Sequence, residues 1–164
     1  MLRLILTLSL LCVPAQGRAQ GSDPDLDAAL AYMETLYDFD FEGLADHLAP
    51  DAIFRDPTAA VLAGEPLEFL GRDAILESFA AGAADSRNAG FEVLEQFTTS
   101  GYVVLTLVYR TELRGEAVGV PTDWIPVRVP AMTVLKVVDG LITEHLDHVD
   151  YEELLRQVAE RRQP

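Results

Sequence analysis

The stretch Trp124–Asp150 reads WIPVRVPAMTVLKVVDGLITEHLDHVD. It holds two apolar, β-branched runs, Trp124 to Val138 and Leu141 to Asp150, joined by Asp139-Gly140. An Asp-Gly pair accepts the left-handed backbone of a two-residue hairpin, so the stretch predicts two long antiparallel strands. Upstream, Phe91 to Thr99 and Tyr102 to Leu113 have the same make-up, with Ser100-Gly101 between them and the polar segment Gly115 to Thr122 after them. Four strands in succession read as a meander. Downstream, Tyr151 to Arg161 returns to helical spacing, with Leu154, Leu155 and Val158 on the side to be buried.

Before Phe91 the period is helical. Ser22-Asp23-Pro24 is a helix start, with capping side chains followed by proline where its missing N–H costs nothing. Leu26, Leu30, Met33 and Tyr37 then form one apolar stripe. A short helix fits Phe41 to Leu48, and Ala52 to Arg55 reads as a brief strand closed by Asp56-Pro57. A loop with Gly64 and Pro66 leads to a helix over Arg72 to Ala81, and Ala80 to Gly90 reads as a linker or a loose helix end. Helices first and a meander second predict an α+β fold. In it a strongly curved antiparallel sheet wraps around the N-terminal helices, and a C-terminal helix closes the chain.

Residues 1–19 carry a secretory pattern: Arg3, the apolar stretch Leu4 to Val13, Pro14, and small residues at Gly17 and Ala19 before a cut. The expectation is a signal peptide over 1–19, one domain over 20–164, and export to the periplasm or medium. The stretch is too short to remain as a bilayer-spanning helix, so no membrane attachment is expected after cleavage. Removing it takes away Cys12, the only cysteine, together with Arg3 and Arg18. What is left has 10 basic and 27 acidic side chains. That balance excludes nucleic acid as a partner, because a phosphate backbone is bound by clustered Lys and Arg, and Lys136 is the sole lysine. Without cysteine, thiolate metal sites and cysteine nucleophiles are also excluded.

Strand alternation predicts what lines a cavity enclosed by such a sheet. Val104, Thr106, Val108, Arg110 and Glu112 share one face of their strand, and Leu141, Thr143, His145, Asp147 and Val149 one face of theirs. Arg110, Glu112 and Asp147 are expected to project together into an apolar hollow. With Leu48 to Pro57, Gly71-Arg72-Asp73-Ala74-Ile75, Asp139-Gly140-Leu141-Ile142 and Asp147-His148-Val149-Asp150-Tyr151 in this order, the chain resembles the nuclear-transport-factor-2-like superfamily over residues 24–162. That superfamily includes ketosteroid isomerases, limonene epoxide hydrolases and SnoaL-like polyketide cyclases. The resemblance implies a cone-shaped fold with a deep apolar pocket for a small apolar molecule, no metal or other cofactor, and a homodimer formed through the outer sheet face.

It also implies candidate residues. Asp56 and Tyr32 fall on the general base and oxyanion donor of the isomerases, while Met132 stands where those enzymes have a second acid and removes half of the oxyanion hole. Arg110, Glu112 and Asp147 match the arginine and two acids of the epoxide hydrolases, with Phe54 and Asp56 in place of the tyrosine and asparagine that hold the water. An arginine between two acids can keep one ionised and the other protonated. His145 reads as a pocket wall or a partner holding Asp147, and Trp124 as a pocket lid or a core or dimer contact. His145 and Asp147 point away from His148 and Asp150, so a chelating cluster is not expected. Structural alternatives stand beside these: a turn at Asp56-Pro57, and an ion pair across strands for Arg110. The functional expectation is therefore acid/base chemistry of isomerase, cyclase or epoxide-hydrolase type. The alternative is a non-catalytic ligand-binding or assembly module.

Overall fold

The computed structural model describes residues 23–162; the signal-peptide reading of residues 1–19 lies outside them. Helix α1 spans Pro24–Tyr37, with the Asp23 carboxylate accepting from the Asp25 N–H at 3.1 Å and Pro24 in the first turn. It buries Ala29, Tyr32 and Met33. A single turn, α2 (Phe41–Leu44), continues into a tighter turn at Ala45–His47. Strand β1 (Leu48–Asp56) begins four residues earlier than its composition suggests. Pro50 is tolerated because it lies between Leu48 and Ile53, where the register with the neighbouring strand shifts. After the turn Pro57–Ala59 come α3 (Ala60–Ala63), β2 (Leu67–Leu70) and α4 (Arg72–Ala83).

Four long strands follow: β3 (Ser86–Thr99), β4 (Tyr102–Arg114), β5 (Trp124–Val138) and β6 (Leu141–Val149). The segment read as a linker or a loose helix end is thus helix to Ala83 and strand from Ser86. Ser86 to Gly90 pairs with β4 through a bulge between Arg87 and Gly90, with Asn88 at φ 52°. Helix α5 (Tyr151–Arg161) is capped by Asp150, whose carboxylate accepts from the Glu153 N–H at 2.9 Å. It buries Val158 and half-buries Leu154, but Leu155 faces solvent.

The six strands run in the order β2-β1-β6-β5-β4-β3. All neighbours are antiparallel except β1 and β6, which are parallel, so the sheet is mixed. Its inner face carries Val103, Leu105, Leu107, Leu135 and Val137 against α1 and the buried Ile75 of α4. A second apolar cluster, Val120, Ile125, Val127, Val129, Val149 and Val158, lies under α5. The hollow opens between the two. At the β5–β6 turn Asp139 and Gly140 have φ of 52° and 79°, the pair of left-handed conformations that the sequence signal demands. Gly140→Ala is expected to cost about 1 kcal/mol in denaturant unfolding, since a Cβ is disfavoured at that φ while open space surrounds the site.

Candidate active site

The hollow has a volume of about 430 Å³, within the roughly 300–1,000 Å³ usual for small-molecule sites. Phe41, Phe54, Phe69, Phe79, Val127 and Leu154 are among the side chains that give it apolar walls. Its polar groups are few: Asp56, Asp147, Thr111 and the phenols of Tyr37, Tyr109 and Tyr151. The three phenols are held protonated, first by burial and then by neighbouring charge, that of Asp147 in every case.

Asp147 is held from one side. Its Oδ1 accepts the Thr133 hydroxyl at 2.6 Å and lies 3.0 Å from His145 Nε2. That contact is outside hydrogen-bond geometry, and buried Nε2 has no aligned hydrogen-bond partner. On the far side of the ring, Nδ1 is 2.7 Å from the hydroxyl of Tyr32. With the ring proton assigned to Nε2, beside the carboxylate, Nδ1 accepts from the Tyr32 hydroxyl. Burial, and after it the charge of Asp147, pushes the Tyr32 phenol well up, which keeps it a donor. Tyr32, Thr133 and His145 are buried, and Phe54 and Phe79 pack edge-on against the imidazole at centroid distances of 5.0 and 5.9 Å. Asp147 Oδ2 accepts no hydrogen bond among the described residues. It is the oxygen available to a guest.

Asp56 is built differently. Its Oδ1 accepts from the Thr58 N–H (2.9 Å), the Thr58 hydroxyl (2.6 Å) and the Ala59 N–H (3.1 Å). Oδ2 accepts the Tyr151 hydroxyl at 2.6 Å. The Thr58 hydroxyl in turn accepts from the Val149 N–H at 2.8 Å. The carboxylate therefore ties the turn after β1 to the end of β6 and the start of α5.

Residues 29–145 match the family model of the SnoaL-like domain. The chain belongs to this SnoaL-like family. Among solved structures, a putative SnoaL-like polyketide cyclase from Shewanella putrefaciens is 26% identical, with a TM-score of 0.76 over 85% of this chain and 99% of its own. IdmH, a putative polyketide cyclase from Streptomyces antibioticus, is 26% identical, with a TM-score of 0.71 over 82% of this chain and 98% of its own. A Catenulispora acidiphila protein with a ketosteroid isomerase-like fold, solved in complex with trimethylamine, is 20% identical (TM-score 0.67, covering 81% and 92%) and is similar in fold. Comparison with curated proteins gives no match.

This SnoaL-like domain assembles some of the expected residues and separates others. Phe54, Asp56 and Asp147 line the hollow, and His145 stands behind Asp147 as its partner. Tyr32 is also behind the wall: fully buried and committed to His145, it is not positioned as a direct oxyanion donor. Arg110 and Glu112 are on the opposite face of β4, because the inward set is Val103, Leu105, Leu107, Tyr109, Thr111 and Leu113. Glu112 binds Arg87 (2.7 Å) and Asn88 (3.1 Å), and these hydrogen bonds, Arg87 foremost, hold its carboxyl below the usual range. Arg110 lies beside Gly90 in a separate open cleft with Glu34 and Asp38. Met132 pairs with His148 and Thr106 on the outer face, and Trp124 lies outside with the guanidinium groups of Arg87 and Arg114 over its ring, at 4.2 and 5.2 Å. The arginine-centred acid pair of the epoxide hydrolases is not formed. Arg110→Gln and Glu112→Gln are each expected to leave ligand affinity within about twofold by calorimetry, since neither charge faces the hollow.

Sequence reasoning missed Tyr37, Tyr109, Tyr151 and Thr133. Tyr151 closes the Asp147–Tyr151 motif, and Tyr37 ends the α1 stripe, so both had a signal; Tyr109 and Thr133 required the phase of their strands.

Proposed function

We propose that the domain binds a small, largely apolar molecule in the hollow and that Asp147 moves a proton on it, in the manner of an isomerase or cyclase. The observation that carries this is Asp147 itself: Oδ1 is fixed by Thr133 and His145, and Oδ2 is left open at an apolar wall. A carboxylate held that way is aimed without being spent. In the proposed step a C–H beside a ligand carbonyl gives its proton to Asp147 Oδ2, and the bonding pair moves onto the carbonyl oxygen. Returning the proton to another carbon isomerises the ligand; attack of the enolate carbon on a second carbonyl closes a ring. His145 and Tyr32 act through Asp147, His145 by its contact with Oδ1 and Tyr32 by holding the imidazole.

The setting belongs to the same proposal: export directed by residues 1–19, and a homodimer through the outer sheet face, where exposed Leu94 and Phe97 offer apolar surface. The test of the chemistry uses β-tetralone, an apolar bicyclic ketone with an acidic C–H beside its carbonyl. Incubated in deuterated water and followed by proton NMR, it is expected to exchange that hydrogen faster with the protein than with buffer carboxylate at equal concentration. Binding without acceleration would favour the non-catalytic ligand-binding module.

A further inference from the structure

Hydrogen-bond bookkeeping inside the hollow separates its phenols into two kinds. The hydroxyls of Tyr37 and Tyr109 have no hydrogen-bond partner among the described residues, and their rings stand 5.6 Å apart, centroid to centroid. Both stay protonated because burial disfavours the phenolate, so each offers an uncommitted O–H. Tyr151 is the opposite case. Its proton is already donated to Asp56 Oδ2 at 2.6 Å, so what it presents to the hollow is oxygen lone pairs. Donation to a carboxylate polarises the phenol and makes that oxygen a better acceptor. Asp56 cannot take Tyr151's place at the wall, since it is only 2% exposed and its oxygens already accept four hydrogen bonds.

We infer that the hollow selects a hydroxylated carbonyl compound: Tyr37 and Tyr109 donate to its carbonyl oxygen, and Tyr151 accepts from its hydroxyl. This rests on the pocket proposed above and names the class of molecule it takes. An apolar guest with no oxygen would leave two buried donors and one polarised acceptor facing hydrocarbon, which is costly in a wall this apolar. A guest with a carbonyl alone would satisfy one end. Asp147 lines the same wall and disfavours a carboxylate-bearing guest by like-charge repulsion.

The experiment is calorimetric titration of the full chain with four molecules of one skeleton: tetralin, β-tetralone, a ring-hydroxylated β-tetralone, and its methyl ether. One neutral hydrogen bond contributes up to about tenfold in affinity, so β-tetralone is expected to bind roughly tenfold tighter than tetralin, and the hydroxyketone up to tenfold tighter again. The methyl ether keeps the oxygen but cannot donate, and is expected to bind no better than β-tetralone. In Tyr37→Phe/Tyr109→Phe the advantage of ketone over tetralin should vanish. In Tyr151→Phe the advantage of hydroxyketone over methyl ether should fall to about twofold or less, read as the ratio of the two affinities within that variant, with an unchanged circular dichroism spectrum as the check on folding. Equal affinities across the series would overturn this inference while leaving an apolar pocket intact. A methyl ether as tight as the hydroxyketone would overturn the acceptor role of Tyr151. No binding of any of the four would remove the pocket reading together with it.

Discussion

Asp147→Asn is expected to slow deuterium exchange into bound β-tetralone by about a thousandfold while leaving its affinity within a few-fold, because general-base catalysis contributes on the order of 10²–10⁴. The amide keeps an oxygen for the Thr133 hydroxyl, so the bond that is 2.6 Å in the native site survives. What is lost is the only acceptor among the pocket groups that has an unclaimed anionic oxygen. Asp56 is the other carboxylate on the wall, but four donors occupy it. A phenol cannot substitute: burial and then neighbouring charge hold Tyr37, Tyr109 and Tyr151 protonated. The measurement is the exchange rate at saturating ketone, with calorimetric affinity taken in parallel so that a binding defect is separated from a chemical one. A rate within tenfold of the native protein would remove Asp147 as the base. Tyr32→Phe supplies the companion result. It leaves Asp147 in place but takes the donor from His145 Nδ1, so a smaller loss, about tenfold, with unchanged affinity is expected of a positioning residue, together with a displaced pH profile.

The fold was legible in the sequence because its strongest signals were local. Asp139-Gly140, the long β-branched runs and the Asp23-Pro24 helix start each specify their own backbone with no help from distant residues. The elements that escaped notice depend on partners. β2 is four residues long and exists because it pairs with the end of β1, which composition alone does not announce. The parallel pairing of β1 with β6 joins segments about ninety residues apart in the chain, a contact that no local pattern encodes. The site was harder still, for a physical reason visible in β4. From Tyr102 to Val108 both faces are apolar, Val103, Leu105 and Leu107 on one and Val104 and Val108 on the other, so alternation gives the period but not the phase. The outer-face choice placed Arg110 and Glu112 in the hollow and left Tyr109 and Thr111 out. In β6 the choice held for His145, Asp147 and Val149. Nearer the turn, the irregular pairing between Lys136 and Val137 brings Ile142 inward instead of Leu141 and Thr143. A one-residue irregularity is invisible in composition, yet it decides which side chains meet a ligand.

Asp56→Ala is expected to lower unfolding free energy by about 3 kcal/mol, since each of its four hydrogen bonds contributes on the order of 1 kcal/mol and water takes up part of the loss at the part-buried donors. Four donors lose their acceptor at once: two N–H groups of the Pro57–Ala59 turn, the Thr58 hydroxyl and the Tyr151 hydroxyl. The Thr58 hydroxyl also accepts from Val149, so the loss spreads to the end of β6, and through Tyr151 to the first turn of α5. Those are the segments that close the hollow on the side of Leu154. Tyr151→Phe breaks only one of the four bonds and should cost about 1 kcal/mol, and combining it with Asp56→Ala should cost less than the sum, because the two changes share a bond. Denaturant unfolding of the two single variants and the pair closes the cycle. Asp56→Ala within 0.5 kcal/mol of the native protein, the usual range for a surface change, would show that the cap is dispensable. A loss near 3 kcal/mol assigns it to holding Tyr151 and the pocket rim in place, which is what a carboxylate with no oxygen to spare is suited to do.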